Sequence, residues 1–161
     1  MAKYRIIRNV EASLIDKLKD KLLEDSWEGI NIEKSFSKSL KNVGNSIPTI
    51  CIEAESNPTS RIELGNPKYR KDIIIDIRIF ALNDGQRKDL TNWLIELLEN
   101  KIEYYEYVIT KGEVTEKLLT GNINIFGKIN NRKELQNTEN LEEEDRYRQR
   151  ITCDAIISLT I

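Results

Sequence analysis

Residues 71–86 decide the fold class; they read Lys-Asp-Ile-Ile-Ile-Asp-Ile-Arg-Ile-Phe-Ala-Leu-Asn-Asp-Gly-Gln. Every second residue of the first part is an isoleucine: Ile73, Ile75, Ile77 and Ile79. Such alternation is typical of a central strand with one wholly apolar face and one partly polar face. Asn83, followed three residues later by Gln86, is a capping-box pattern that starts a helix. The stretch predicts a strand that turns directly into a helix, which lies back over the isoleucine face.

Two amphipathic helices and several strands are predicted around this unit. Apolar residues recur at helical spacing over residues 10–24, with Asn9 as N-cap, and over about residues 84–99. Strands are predicted where apolar and polar residues alternate: residues 30–32, 47–55, 61–64, 104–110, 123–129 and 151–161. Pro48 belongs at a strand start and Gly127 marks a bulge, whereas the stretch from Gly112 to Thr120 shows no decisive pattern.

These elements predict a single α/β (α+β) domain covering residues 1–161, with a mixed or mostly antiparallel sheet flanked by the two helices. A mass of 18.8 kDa is the size of one ordinary globular domain. The chain has no apolar run near the roughly 18 residues that span a bilayer and no secretory signal. We therefore expect synthesis inside the cell and no membrane partner.

Residues 130–150 form a long polar arm or loop with almost nothing to bury. Loops of this length are generally functional or disordered, so two interpretations stay open: an exposed surface loop, or a hairpin arm that orders against a neighbouring subunit. Acidic and basic residues are adjacent there, and they include Glu143, Asp145, Arg146 and Arg148. Such blocks fit either a solvated strand edge or a head-to-tail contact between copies, which makes these four residues candidate interface positions.

The composition offers few of the groups that carry catalysis. The sequence contains no histidine, which removes the commonest general base and the commonest metal ligand. Cys51 and Cys153 lie in separate strand-like segments, so neither a disulfide framework nor a zinc site is predicted. The glycines are scattered singly and match no phosphate-binding loop. No catalytic residue, metal site or cofactor is therefore predicted.

Among classes of enzyme, the carboxylates of this sequence most resemble those of a metal-dependent nuclease. Glu63 and Asp72, upstream of Asp76 and Arg78, loosely resemble the acidic constellation of a restriction-type nuclease. The match is poor because a planar, permanently charged arginine does not replace the expected lysine. A simpler interpretation is that Asp76 and Arg78 pair on one face of the strand, or that they meet another chain.

Nucleic-acid binding has little support in the sequence. The net charge of -2 lacks the basic balance that drives binding to phosphate backbones. Tyr104, Tyr105 and Tyr107 are able to stack on bases, but without accompanying basic residues they fit better as sheet residues or, for Tyr105 and Tyr107, as interface anchors.

Taken in order, these features resemble the tail terminator (tail completion, or neck) proteins of long-tailed bacteriophages. The likeness covers nearly the whole chain as a pattern of elements and lengths. Besides the N-terminal helix, it includes Pro48-Thr49-Ile50-Cys51-Ile52, Glu63-Leu64-Gly65, Ile75-Asp76-Ile77-Arg78-Ile79-Phe80-Ala81, Asp84-Gly85-Gln86-Arg87-Lys88-Asp89-Leu90, Tyr105-Glu106-Tyr107, Gly127-Lys128-Ile129 and Asp145-Arg146-Tyr147-Arg148 ahead of a hydrophobic final strand.

The resemblance implies a structural virion protein, made in the host bacterial cytoplasm. It would form a hexameric ring on the head-proximal end of the tail tube, stop tube polymerisation and offer a docking face to the head connector. Its partners would be other copies of itself, the tube protein and the connector, and DNA would pass through the lumen without specific binding. Such proteins are not enzymes and need no cofactor. The alternatives are a small metal-dependent nuclease, another ring-forming neck or tube protein of a phage or phage-like particle, and a host-encoded interaction module.

Overall fold

The computed structural model describes residues 5–34, 48–56, 60–61, 69–70, 72–134 and 148–159. The helices are α1 (Ile6–Glu24) and α2 (Asp84–Glu99). The strands are β1 (Asn31–Glu33), β2 (Thr49–Ser56), β3 (Ser60–Arg61), β4 (Tyr69–Arg70), β5 (Ile73–Phe80), β6 (Ile102–Thr110), β7 (Glu113–Glu134) and β8 (Arg148–Leu159). Neither described helix is both long and apolar enough to cross a membrane.

The main sheet has six strands in the order β1-β2-β5-β8-β7-β6, and β3 pairs separately with β4. β1 runs parallel to β2, whereas the other neighbours in the main sheet are antiparallel. The predicted α/β class, with a mostly antiparallel mixed sheet and two main helices, is confirmed.

The centre of the sheet is β5, which pairs with β2 on one side and β8 on the other. Its four alternating isoleucines are fully buried, and both helices contribute side chains to the same core. The side chains that pack there from the helices include Val10, Leu14, Leu18, Leu90, Leu94 and Leu98. The predicted packing of α2 over the isoleucine face is therefore confirmed, since period-2 alternation in the strand meets helical spacing in α2.

The start of α2 follows the predicted capping pattern. Asn83 Oδ1 accepts a hydrogen bond from the backbone N–H of Gln86 at 2.8 Å. The side chain of Gln86 reaches back in return, and its Oε1 accepts from the N–H of Leu82, one residue before the cap, at 2.8 Å. The first bond satisfies a backbone donor that the first turn of the helix leaves without a partner, and the second satisfies the donor just before the cap.

The predicted start of the first helix was wrong. α1 begins at Ile6, and the residue at its N-cap, Arg5, makes no side-chain capping bond. Asn9 lies inside the helix, is buried, and donates through Nδ2 to the hydroxyl of Tyr104 on β6 at 3.3 Å. An asparagine side chain inside a helix is able to compete for the backbone hydrogen bonds of that helix. Here its amide donates to the Tyr104 hydroxyl instead, so the helix continues through Asn9.

Helix α1 holds the two sides of the main sheet together. Glu11 Oε1 accepts from the N–H of Ala54 on β2 at 2.9 Å. Ser13 Oγ accepts from the N–H of Tyr105 on β6 at 3.0 Å. Because β2 and β6 lie far apart in the strand order, the sheet must curl around α1 for one helix to reach both. α1 thereby satisfies backbone groups that an open sheet edge leaves exposed.

β6 and β7 form a long hairpin. Its turn is Lys111-Gly112, and both residues have positive φ (53° and 85°), as a tight two-residue hairpin turn requires. The stretch without a decisive sequence pattern is therefore a strand. β8 pairs with β7 from Gly121 onward, so among the described strands residues 113–119 pair with β6 alone.

The other end of β7 extends into the segment predicted as a polar arm. The β7–β8 register shifts between Phe126 and Asn130, and Gly127 lies in this irregular stretch with φ of 70°, which confirms the predicted bulge. Asn130 to Glu134 then pair with residues at the start of β8. Both ends of the predicted arm are thus paired strand, and residues 135–147 lie outside the described part of the chain.

Candidate functional site

Asp76 is held within the sheet by two arginines. Its carboxylate accepts from Arg150 on β8, with Nε 3.0 Å from Oδ1 and Nη2 2.8 Å from Oδ2. Arg78 Nη2 lies 3.6 Å from the same Oδ2. The pairing expected between Asp76 and Arg78 is present, but the two-point contact with Arg150 has the better geometry. The sequence carried no signal for this partner, because the contact depends on the β5–β8 register.

The side chain of Tyr107 connects β6 to α1. Its hydroxyl donates to Asp16 Oδ2 at 2.5 Å, and its ring is buried. Burial, and then the bond to Asp16, raise the pKa of Tyr107 well above its usual value. Lys117 Nζ lies 3.1 Å from the same Oδ2 and 4.1 Å from the centroid of the Tyr105 ring. The structure thus uses both tyrosines inside the subunit, and contact of either with another chain stays a prediction.

Arg148 is buried at the start of β8, with its guanidinium carbon 5.1 Å from the centroid of the Phe80 ring. This is cation–π distance, so Arg148 helps to join β8 to β5. The other three charged candidates, Glu143, Asp145 and Arg146, lie outside the described residues.

The acidic residues considered for a nuclease do not come together in the described part of the chain. Glu63 is outside it, and Asp76 is engaged by arginines. Among the residues that the structure describes, no group of three or more His, Cys, Asp or Glu side chains is placed to hold a metal ion.

A polar network anchors the N-terminus of α2 to the sheet. Arg87 donates to Gln149 Oε1 on β8 at 2.5 Å and to Asp84 Oδ1 at 2.6 Å. Gln149 donates in turn to the side chain of Asn131 on β7. Because Arg87 and Gln149 are buried, these bonds offset the cost of removing their polar groups from water.

The β6–β7 hairpin carries five of the eight large apolar side chains that are exposed in the described part of the chain. Five large apolar side chains are exposed on it, and we call them the hairpin patch: Val108, Ile109, Val114, Leu118 and Leu119. Val114 is 59% exposed and Leu118 is 43% exposed. Sequence reasoning missed this patch. The sequence contained one sign of it. The stretch from Gly112 to Thr120 includes apolar residues that do not alternate in the way that residues facing a core do.

A groove lies between α2 and the distal part of β7. This groove has a volume of about 650 Å³. We call it the α2–β7 groove, and its apolar walls are Ile95, Leu98, Ile123, Ile125 and Ile129. Glu99, Asn100 and Lys101 form part of its rim. Polar and apolar groups contribute about equally to its lining.

Together these features are a hairpin with exposed apolar side chains and a groove of mixed lining, on a sheet whose described charged candidates, Asp76, Arg78 and Arg148, contact other groups of the same subunit. No protein-family model matches the chain, no curated protein is similar to it, and no solved structure is similar to it at a significant level.

Proposed function

We propose that this chain is a structural ring subunit of a phage tail, of the tail terminator type. Copies assemble into a ring, with six subunits expected, on the head-proximal end of the tail tube. The ring stops tube polymerisation and offers a docking face to the head connector. In the virion it contacts the tube protein and the connector, and DNA passes through its lumen without specific binding.

The observation that carries this proposal is the hairpin patch. Its five side chains lie on a two-stranded ribbon that extends beyond the end of β8, where β6 is the only described neighbour of β7. The strand register places Ile109, Val114 and Leu119 on one face of this ribbon and Val108 and Leu118 on the other. Exposed clusters of large apolar side chains mark sites of association. Among the described strands, residues 113–119 of β7 pair on the β6 side alone, and a strand edge of this kind is one that another chain is able to extend.

The engagement of the charged residues supports a scaffold rather than a reaction centre. Asp76 binds Arg150, Asp16 binds Tyr107 and Lys117, and Arg87 binds Gln149. Each of these contacts joins one element of the fold to another. A ring subunit that must present fixed surfaces to several partners needs such internal connections.

The test is the mass of the protein in solution, together with its effect on tail tubes. We expect light scattering and negative-stain microscopy to show rings of about six subunits. We also expect these rings to bind one end of tubes made from the tube protein of the same genome, and to halt their growth. A strict monomer that leaves tube growth unchanged would contradict the proposal.

The nuclease alternative is decided by a separate assay. Purified protein is incubated with DNA and Mg²⁺ or Mn²⁺, alongside an Asp76→Ala variant. We expect no cleavage by either protein. Metal-dependent cleavage that disappears in the variant would establish the nuclease instead.

A further inference from the structure

We infer that α1 sets the direction in which the β6–β7 hairpin projects from the sheet, and that the hairpin pivots at its base when it loses its contacts with α1. The projecting hairpin comprises residues 105–119. Its direction is a property of a single subunit, so it does not depend on the proposed ring.

The outer part of the hairpin lies in solvent. Residues 108–119 are all exposed, whereas Ile102, Tyr104 and Tyr107, nearer the core, are buried. β8 begins to pair with β7 only at Gly121, so among the described strands the ribbon beyond that residue has two strands. A two-stranded ribbon by itself is marginally stable in water, and its order depends on what holds its base.

A β-bulge marks the base of the projecting hairpin. Tyr104 lies opposite Gly121, whereas the next residue, Tyr105, lies opposite Leu119. Thr120 is thus the extra residue of the bulge. Bulges interrupt the ladder of a strand pair and bend it locally. Because the pairing of β7 with β8 also begins here, the base is the place where the hairpin is able to change direction.

Helix α1 holds the hairpin on the outer side of this bulge. Ser13 Oγ accepts from the N–H of Tyr105 at 3.0 Å, and Arg8 Nη2 donates to the carbonyl oxygen of Tyr107 at 3.1 Å. β6 is the last strand of the main sheet, and these bonds use backbone groups that a further strand would otherwise pair with. Side chains of α1 therefore take the place of a neighbouring strand at this edge.

Asp16 of α1 contacts both strands of the hairpin at one point. Its Oδ2 accepts from the hydroxyl of Tyr107 on β6 at 2.5 Å and lies 3.1 Å from Nζ of Lys117 on β7. Tyr107 and Lys117 are opposite each other in the register. The bond from Tyr107 is the stronger contact, because the tyrosine is buried, whereas both members of the ion pair with Lys117 are exposed to solvent.

The outer half of the hairpin follows its base as one body. A second bulge lies between Val108 and Ile109, where Thr115 is the extra residue. This bulge is braced within the hairpin, since Thr115 Oγ1 donates to the carbonyl oxygen of Val108 at 3.2 Å. A change of direction at the first bulge therefore carries the hairpin patch with it. In the proposed ring, a fixed direction would reduce the conformational freedom that is lost on association.

The experiment measures the direction of the hairpin within one subunit. Spin labels are attached at Glu113→Cys, near the tip, and at Asn92→Cys on α2, both of which are exposed positions. Cys51 and Cys153 are buried and should not react with the label. Distances are measured by double electron–electron resonance, with each labelled protein diluted in its unlabelled counterpart. We expect one narrow distance distribution when α1 and the hairpin are otherwise unchanged.

Two variants remove the contacts with α1. Asp16→Ala removes both contacts of the carboxylate, and Tyr107→Phe removes only the hydroxyl. We expect the distance distribution to broaden or shift in both, and more in Asp16→Ala. Amides of residues 105–119 should exchange with deuterium roughly tenfold faster in Asp16→Ala, while those of β5 stay unchanged. The matched control is Lys19→Ala, at an exposed position of α1, and it should behave as the wild type.

The outcomes separate this inference from the proposed ring. A distance distribution that stays narrow and unshifted in Asp16→Ala, or one that is already broad in the wild type, would overturn the inference. A shift in Lys19→Ala as large as in Asp16→Ala would also overturn it. Folding is checked by cooperative melting, and Tyr107→Phe, which keeps the buried ring, decides the question if Asp16→Ala does not fold. Ring and monomer give the same answer, so either proposal is able to fail without the other.

Discussion

Glu11 offers a sharp test of how α1 holds the sheet, through the two substitutions Glu11→Gln and Glu11→Ala. In the wild type its carboxylate accepts from the N–H of Ala54, beyond Cys51, the last residue of β2 that pairs with β1. Ala54 is 7% exposed, so its N–H has little access to water. Glutamine keeps an acceptor oxygen at the same place, whereas alanine removes it.

The magnitudes follow from the hydrogen bond. Glu11→Ala leaves a buried donor without an acceptor, and the free energy of unfolding should fall by about 1–3 kcal/mol. Glu11→Gln keeps the bond and removes a partly buried charge. At neutral pH it should therefore match the wild type within ~0.5 kcal/mol or exceed it, because a neutral hydrogen bond contributes nearly as much once the desolvation of the carboxylate is avoided.

The pH dependence has a definite sign. Burial raises the pKa of Glu11 above its ordinary value of 4.5, against the smaller opposing effects of the Ala54 N–H and of Lys34. The folded state thus binds this proton more tightly than the unfolded state. The corresponding stabilisation is complete below the ordinary pKa and is lost as the pH rises through the folded-state pKa. Because glutamine resembles the neutral acid at every pH, its advantage over the wild type should grow as the pH rises above 4.5 and then level off.

The assay is urea denaturation at a series of pH values. It is repeated at several protein concentrations, because any contribution of assembly to the apparent stability depends on concentration. Equal stability of Glu11→Ala and Glu11→Gln would show that Ala54 does not need this acceptor. A gap between Glu11→Gln and the wild type that narrows with rising pH would contradict the direction of the pKa shift.

Three further predictions concern the sheet itself. In Gly121→Ala the new Cβ would lie 2.2 Å from the carbonyl oxygen of Ser158, so the pairing of β7 with β8 must shift. A thermal melt should show that the free energy of unfolding falls by about 1–3 kcal/mol. An unchanged melting temperature would refute the close approach. Asp76→Ala removes both hydrogen bonds from Arg150, and the free energy of unfolding measured in urea should fall by about 1–3 kcal/mol. Asp76→Asn keeps one acceptor oxygen and should lose less stability. The reverse order would show that the pair does not stabilise the sheet. Burial raises the pKa of the Cys153 thiol to about 12, so a thiol reagent at about pH 8 should label it only after unfolding, and rapid labelling of the native protein would contradict its buried position.

The central unit could be predicted from sequence because its signals are local. The alternation in residues 73–80 involves only neighbouring positions, and the capping residues Asn83 and Gln86 are three positions apart. The structure contains both the predicted strand and the predicted start of α2. Gly127 is a similar case. Its backbone conformation favours glycine, so a glycine within an alternating strand pointed to the bulge.

The errors and omissions depend on distant residues. Asn9 has the chemistry of an N-cap, but its partner is the hydroxyl of Tyr104, which the sequence does not place beside it. Arg150 was not predicted as a partner of Asp76, because only the β5–β8 register brings the two residues together. The length of β7 was missed because its first residues face solvent, so burial leaves no periodic pattern in them.

The hairpin patch illustrates a further limit. An apolar residue such as Leu118 looks the same in a sequence whether it packs in a core or faces solvent. Among the described strands, Leu118 lies in the part of β7 that pairs with β6 alone, before the pairing with β8 begins at Gly121. Interaction surfaces of this kind become visible only when the ends of neighbouring strands are known.

The 22 residues of β7 have a mechanical consequence. One continuous strand, on the order of 70 Å along its path, runs from the hairpin tip past the groove and into the arm. Hydrogen bonds in antiparallel ladders lie across the strands, so a pull along β7 loads the bonds to β6 and β8 in shear, many at once. Tension between the two ends would therefore be borne by the sheet as a whole, and the subunit would transmit force along this axis with little extension.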